Sequence, residues 1–292
     1  MRPLALIPAL CCAAALVLSF LCLFAGHKKG FMEDYHLLTL NTSRIGSNLL
    51  NSSAASSSNP LSSLFHNISD SISNEINDRV ADLAERIGVE DFYSAHLLDY
   101  CYGSYVPSSL PNSTVSKGDI HKDVEGCSNR TTMYHFDPTA ALERSLNESG
   151  LGVTLGDLNW PEDIQKGIDA LRILQKVVFV LYCIAIGIIF IALLAAILAV
   201  FASGRLAAGI NIMIAFLAFL AIGLASAIVT AVTVKGTNVI NQYGKEIGVE
   251  AHRGGKFLAI TWAATGAMLI AILTWCFECC TRRSKRTQYV EK

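Results

Sequence analysis

At 292 residues the chain is long enough for two soluble domains, but 52% hydrophobic and 16% charged residues with a mean hydropathy of +0.42 exclude an ordinary soluble protein. The 23 Lys+Arg and 24 Asp+Glu nearly cancel, yet they are segregated: residues 27–171 hold 10 basic and 20 acidic groups, so that segment stands at −10 and the remainder at +9. No Lys/Arg-dense stripe with interleaved aromatics occurs, which argues against a nucleic-acid partner.

The chain opens on the first of four apolar stretches, 1–26, 177–204, 206–234 and 257–277, whose apolar runs carry no charged side chain once past Arg2. Each is long enough for a hydrocarbon core of roughly 30 Å, which needs about 20 helical residues. Lipid offers no partner to an open strand, so each is predicted to be a helix. The first also reads as a secretory signal, with Arg2 ahead of the apolar run and Leu23-Phe24-Ala25 as a cleavage site; its about 22 apolar residues exceed a usual signal core and favour a retained anchor.

Flanking charge leaves orientation nearly tied, with Lys28, Lys29, Arg172, Lys235, Arg253 and Lys256 opposing Arg2, Arg205 and the tail Arg282, Arg283, Lys285 and Arg286. The acceptor sites for N-glycans break the tie. Asn41, Asn51, Asn67, Asn112, Asn129 and Asn147 each begin an Asn-X-Ser/Thr triplet, and all six fall in the 27–176 segment between the first two spans. That segment and the short 235–256 segment are therefore expected outside, with both termini, the Ser203-Gly204-Arg205 turn and the basic 278–292 tail cytoplasmic. Asn129 lies two residues beyond Cys127, where early closure of a bridge would compete with glycan transfer.

Within the first loop, residues 41–63 are rich in Ser, Asn and Ala and read as a solvated, glycosylated strap. From Leu61 to Ile87 the apolar residues Leu64, Phe65, Ile68, Ile72, Ile76, Val80 and Leu83 recur at three and four, predicting an amphipathic helix that covers its own domain or pairs two copies. Asp137-Pro138 reads as N-cap and first helical position. A further start at Asn159-Trp160-Pro161 meets no proline and, before Gly187, only the isolated Gly167, so the second span is expected to continue outward as a helical stalk.

Cys101 and Cys127 enclose 25 residues including Pro107, Pro111, Gly118 and Gly126, an irregular stretch that a disulfide would hold together in an oxidising compartment. The competing reading, a metal site using His96, His121 and His135, lacks zinc-type spacing. No metal or cofactor is expected. The predicted fold class is thus an all-α integral membrane protein: a four-helix transmembrane bundle with a large, disulfide-containing and mostly helical first extracellular loop, with the presence of a small β-sheet left open.

The run Asp91, Phe92, Tyr93 through Tyr100 and Cys101, then Cys127, then Phe136, Asp137 and Pro138, followed by three closing spans, resembles the fungal Sur-seven/PalI family. The resemblance implies a claudin-like, four-span plasma-membrane protein whose first loop carries an aromatic run into a paired cysteine. The family pattern puts an aromatic, typically Trp, at or near Leu98. PalI-like pH-signalling members have long cytoplasmic tails, whereas here twelve residues follow Cys280; the resemblance therefore implies the branch of eisosomes and cortical membrane domains.

Catalysis within the bilayer needs ionisable groups at depth, and the spans hold only Asn211 as a strongly polar residue, expected to bond between helices. No nucleophile elbow, HExxH or Gly-rich phosphate loop is present, so no enzymatic activity is expected. Small residues four apart, Cys183/Gly187, Ala192/Ala196, Ala195/Ala199 and Gly223/Ala227, with Gly266 and Ala267 on the fourth helix, predict close helix packing. Cys276, Cys279 and Cys280 end the last span directly before the basic tail, where juxtamembrane acylation occurs.

Two functions fit this reading. One is an organiser of a plasma-membrane microdomain, partnered by anionic lipids such as PIP2 at the inner face, by neighbouring membrane proteins or itself, and by cell-wall components. The other is a sensor subunit of an ambient-pH pathway, in which carboxylates raise the pKa of loop histidines His27, His36, His66, His96, His121 and His135.

Overall fold

The structure is a computed structural model that describes residues 6–45, 88–107, 115–116, 118–150, 152–158, 160–201 and 205–290. Among the described residues, five α-helices and five strands follow in chain order: α1 (Leu6–Phe24), β1 (Leu38–Asn41), β2 (Phe92–Ala95), β3 (Tyr100–Val106), β4 (His121–Cys127), α2 (Pro138–Ser149), α3 (Glu162–Phe201), α4 (Arg205–Tyr243), β5 (Glu250–Arg253) and α5 (Gly255–Val290), with a 3-10 turn at Gly244–Ile247. The predicted 61–87 helix, Asn51, Asn67, Asn112, His66 and the Ser203-Gly204 part of the predicted turn lie outside the described residues.

The chain divides into two units. The first holds α1, residues 176–201 of α3, residues 205–230 of α4, and α5. Among the described residues, four helices are long and apolar enough to cross a membrane. Their faces are sorted by residue size: α3 buries Ala185, Ile189, Ala192, Ala196 and Ala199 while exposing Phe190, Ile191, Leu194, Leu198 and Phe201. Water would penalise such bulky apolar faces at about 25 cal/mol per Å²; lipid does not, and small buried residues let the backbones approach. Of the small pairs anticipated from sequence, Ala192/Ala196 is buried, whereas Cys183 and Gly187 face outward, as does Ala227. α1 packs along α5, burying Cys12, Ala15, Ser19 and Cys22 at the same spacing.

The second unit carries a five-stranded antiparallel sheet in the order β4-β3-β2-β1-β5. The small β-sheet that the sequence left open is thus present, and it corrects the all-α class. β1 replaces the first residues of the expected solvated strap: Thr42, Ser43 and Ile45 are buried directly after it. Of the 25 residues between the cysteines, expected to be irregular, 102–106 and 121–126 instead lie in the paired strands β3 and β4. β1, β2 and β5 escaped notice because they are four residues long. All four residues of β2 are buried, so no in–out alternation is visible. β5 comes from the segment between the third and fourth spans, and it pairs with β1 with Leu38 opposite Arg253 and Leu40 opposite Ala251.

One sheet face carries Leu38, Leu40, Tyr93, Ala95 and Ala251, and it packs on Ala141, Leu142 and Leu146 of α2. α2 starts as predicted, with Asp137 as N-cap accepting from the Ala140 amide and Pro138 in the first turn. The Asp137 carboxylate also receives Arg172 Nη2 at 3.6 Å and Gln165 Nε2 at 3.4 Å from α3. α3 runs unbroken for 40 residues, as predicted, passing through Gly167 and Gly187.

Candidate functional site

The Cys101–Cys127 disulfide is present, and the two residues stand opposite each other on β3 and β4. A strand alternates its side chains, so Cys101 faces one side with Phe92 and Val124, while Tyr100 and Tyr102 face the other. Phe92 is fully buried, with the Tyr105 ring at 5.3 Å and Lys122 Nζ at 5.1 Å over its face. Asp91 Oδ2 accepts from the Tyr105 amide at 2.8 Å.

On the opposite face the tyrosines cluster. Tyr93 lies opposite Tyr102 in register; the Tyr93–Tyr100 and Tyr100–Tyr102 centroids are 6.2 Å apart, and Tyr134 and Phe136 lie 6.4 and 6.0 Å from Tyr100. Tyr93 Oη and Ser145 Oγ share a 2.7 Å hydrogen bond that ties the sheet to α2. Every described residue of the Asp91–Pro138 motif thus builds the sheet, its aromatic cluster or the cap of α2.

Between this cluster and α2 lies a cavity of about 160 Å³ bounded by Glu90, Tyr100, Tyr102, Asn129, Arg144 and Glu148, with a mostly polar wall. Arg144 Nε donates to Glu148 Oε1 at 2.9 Å. Burial, then Glu125 and Asp91, pushes the Glu90 carboxyl up to about 7. Burial pushes the Tyr93 hydroxyl up to about 12.

The β2–β3 turn holds a second polar group. Its amide at His96 donates to the Asp99 carbonyl at 2.9 Å, and both side chains are buried. Gly26, at φ 74°, lies against the His96 ring so closely that a Cβ there would fall 2.4 Å from it. Burial, with His36 adding to it, drives His96 down to about 3, opposite to the carboxylate-raised histidine expected from the loop's charge. Burial pushes Asp99 up to about 7 against the opposing pull of Arg130, and its carboxyl oxygens accept no hydrogen bond among the described residues. Leu98, where the family pattern has an aromatic, is buried in this turn. His121 is exposed on β4 and His135 partly buried; among the described residues no group of three or more His, Cys, Asp or Glu is placed to hold a metal.

In the membrane unit the polar contacts are not where the sequence placed them. Asn211 Nδ2 donates to Ala207 O of its own helix at 2.8 Å rather than across helices. The interhelical bonds come from hydroxyls. Ser226 Oγ of α4 lies 2.8 Å from Thr261 Oγ1 and 2.9 Å from Thr265 Oγ1 of α5, and Tyr182 of α3 bonds the same Thr261. Residues from α3, α4 and α5 therefore meet at one buried network. The signal was weak but present: Thr261 and Thr265 stand four apart in an otherwise apolar helix. At the end of the apolar part of α5, Cys276 and Cys280 share an exposed face and Cys279 flanks it, all three as free thiols.

A disulfide-locked sheet joined to four apolar helices defines a multi-pass membrane protein. A model of the SUR7/PalI family matches residues 4–274, and the chain belongs to that family. It is 28% identical over 177 residues to the SUR7 family protein pun1 of Schizosaccharomyces pombe, an alignment covering 56% of this chain and 54% of that one, so it spans about half the length of that relative. No solved structure matches.

Proposed function

We propose that this protein is a non-enzymatic organiser of a plasma-membrane microdomain, of the eisosome type, with both termini cytoplasmic and the sheet unit outside. The observation that carries the reading is the pairing of β1 with β5, which builds one sheet from the two inter-span segments. A sheet shared by both segments requires both on one side of the membrane, and the disulfide and the glycan acceptor sites favour the oxidising side. The sheet unit is suited to outward contact with wall polymers, and the helix unit, with its bulky apolar faces, to lateral contact with neighbours in the bilayer. Exposed Cys276 and Cys280, followed in sequence by Arg282, Arg283, Lys285 and Arg286, fit an acylated, PIP2-attracted inner face. Imaging a tagged copy in living cells tests this: static cortical patches support it, and a diffuse or endosomal distribution defeats it.

A pH-sensing role is the second reading, favoured by Asp99 and Glu90, which titrate near 7, rather than by the histidines. Circular dichroism and stability that do not change between pH 4 and 7 would remove it.

A further inference from the structure

The cavity beside the tyrosine cluster has a chemistry that narrows its occupant. Its wall is mostly polar, which disfavours a lipid tail, yet the partly exposed rings of Tyr100 and Tyr102 line it. Rings that accept the C–H face of a pyranose, beside an Arg–carboxylate pair able to bond its hydroxyls, are the recognition set for a saccharide. The size of the cavity suits a single sugar ring.

Asn129 forms part of that wall and begins the Asn129-Arg130-Thr131 acceptor triplet. Its position is fixed by the strand before it. The Ser128 amide donates to the Tyr100 carbonyl at 2.8 Å, and the Tyr100 amide donates to Ser128 Oγ at 3.1 Å, so the pairing of β3 and β4 is carried to the residue preceding Asn129. Asn129 itself is exposed. Gly126 lies opposite Tyr102 in register; a Cβ there would meet Tyr102 Oη at 2.7 Å and Cζ at 2.9 Å. Glycine at this point lets the Tyr102 ring lie on β4, three residues from Asn129.

We propose that the cavity seats this chain's own glycan, the first N-acetylglucosamine on Asn129 packing against Tyr102 and Tyr100 with Arg144 and Glu148 at its hydroxyls. A single sugar free in solution binds such a site weakly. One tethered to the wall is held at an effective concentration in the millimolar range, which fills the site without need of high affinity. The proposal rests on the sheet unit facing the glycosylating compartment.

The test uses the full chain expressed in a eukaryotic host and purified in detergent. Glycopeptide mass spectrometry should find Asn129 occupied. Asn129→Gln should lower the melting temperature by a few degrees, and trimming the glycan to its first sugar should not. Asn147→Gln, which removes an acceptor outside the cavity, should leave the melting temperature unchanged. In Gly126→Ala, where the added methyl displaces the Tyr102 ring, and in Tyr102→Ala, the effect of Asn129→Gln should vanish. Nitration of Tyr100 and Tyr102 should be blocked in the glycosylated protein and proceed in Asn129→Gln. An unoccupied Asn129 among occupied acceptor sites overturns the seating, as do additive effects of Asn129→Gln and Gly126→Ala, or nitration that ignores the glycan. Protection of the tyrosines in Asn129→Gln by added glucan or chitin oligosaccharides overturns it in favour of an external ligand. Glycans on none of the six acceptors would instead remove the orientation on which it rests.

Discussion

The Asn241 side chain forms two hydrogen bonds with the backbone of Ala251: its amide donates to the Ala251 carbonyl at 2.9 Å, and its oxygen accepts from the Ala251 amide at 2.6 Å. β5 is an edge strand, and an edge presents backbone groups that invite another chain. One asparagine at the end of α4 does there what a sixth strand would do.

Asn241→Ala should therefore loosen β5 selectively. Two hydrogen bonds at about 0.5–1.5 kcal/mol each predict a loss of about 1–3 kcal/mol. Hydrogen exchange is the sensitive measurement: the amides of residues 250–253 should exchange faster while those of β3 and β4 keep their protection.

Non-reducing mass mapping should recover Cys101 joined to Cys127. Cys101→Ser should cost about 2–5 kcal/mol and cause retention in the endoplasmic reticulum, seen as loss of surface signal. A mature protein with free thiols at both positions would contradict the structure.

The buried ionisable groups make opposite demands on pH. For Asp99, raised from its ordinary 3.8 to about 7, the folded state holds the proton more tightly. The cost of burying the carboxylate is absent below about 3.8 and complete above about 7, so stability falls as pH rises through that window. His96, lowered from 6.5 to about 3, costs nothing above 6.5 and destabilises as pH falls toward 3. Thermal melts of wild type and Asp99→Asn compared between pH 4 and 7 should show the wild type losing more stability as pH rises, because Glu90 and His96, which oppose each other over that window, are common to both. A stability difference between the two that stays constant with pH would refute this.

The hydroxyl network should be a modest but non-additive stabiliser. Interhelical hydrogen bonds in membranes average about 0.6 kcal/mol and reach about 1.7, so Ser226→Ala and Thr261→Val should each fall in that range in denaturation from micelles. Their double variant should lose less than the sum, because both cut the same contacts.

Acyl exchange should label wild-type protein and fail on the variant with Cys276, Cys279 and Cys280 changed to Ser, and that variant should leave cortical patches. Wild-type protein without hydroxylamine-sensitive acyl groups, together with a variant that still partitions into patches, would remove any sorting role for these thiols.

What the sequence revealed follows the strength of each physical signal. Four spans, the cap at Asp137-Pro138 and the long α3 rest on charge-free length and local capping chemistry, which a sequence states outright. The sheet rests on pairings between distant segments: Thr39 meets Ser94 on one side and His252 on the other, and nothing local announces either partner. The hydroxyl network was hidden for another reason. Ser226 and Thr265 look unremarkable in an apolar helix until their neighbours are known, whereas Asn211 attracts notice and bonds only its own backbone. His96 shows the same lesson for charge: a segment at −10 suggests raised histidines, but burial outweighs the distant carboxylates.

The place of β1 in the sheet also bears on how the protein is made. β1 sits between β2 and β5, and β5 begins about 210 residues after β1 ends. At about 5–20 residues per second, translation leaves one flank of β1 without its partner for roughly 10–40 s, during which the second and third spans must enter the bilayer. Completion of the sheet is thus a late checkpoint on membrane insertion: a copy whose third span failed to cross would deliver β5 to the wrong compartment and leave β1 uncovered, a lesion that quality-control factors recognise.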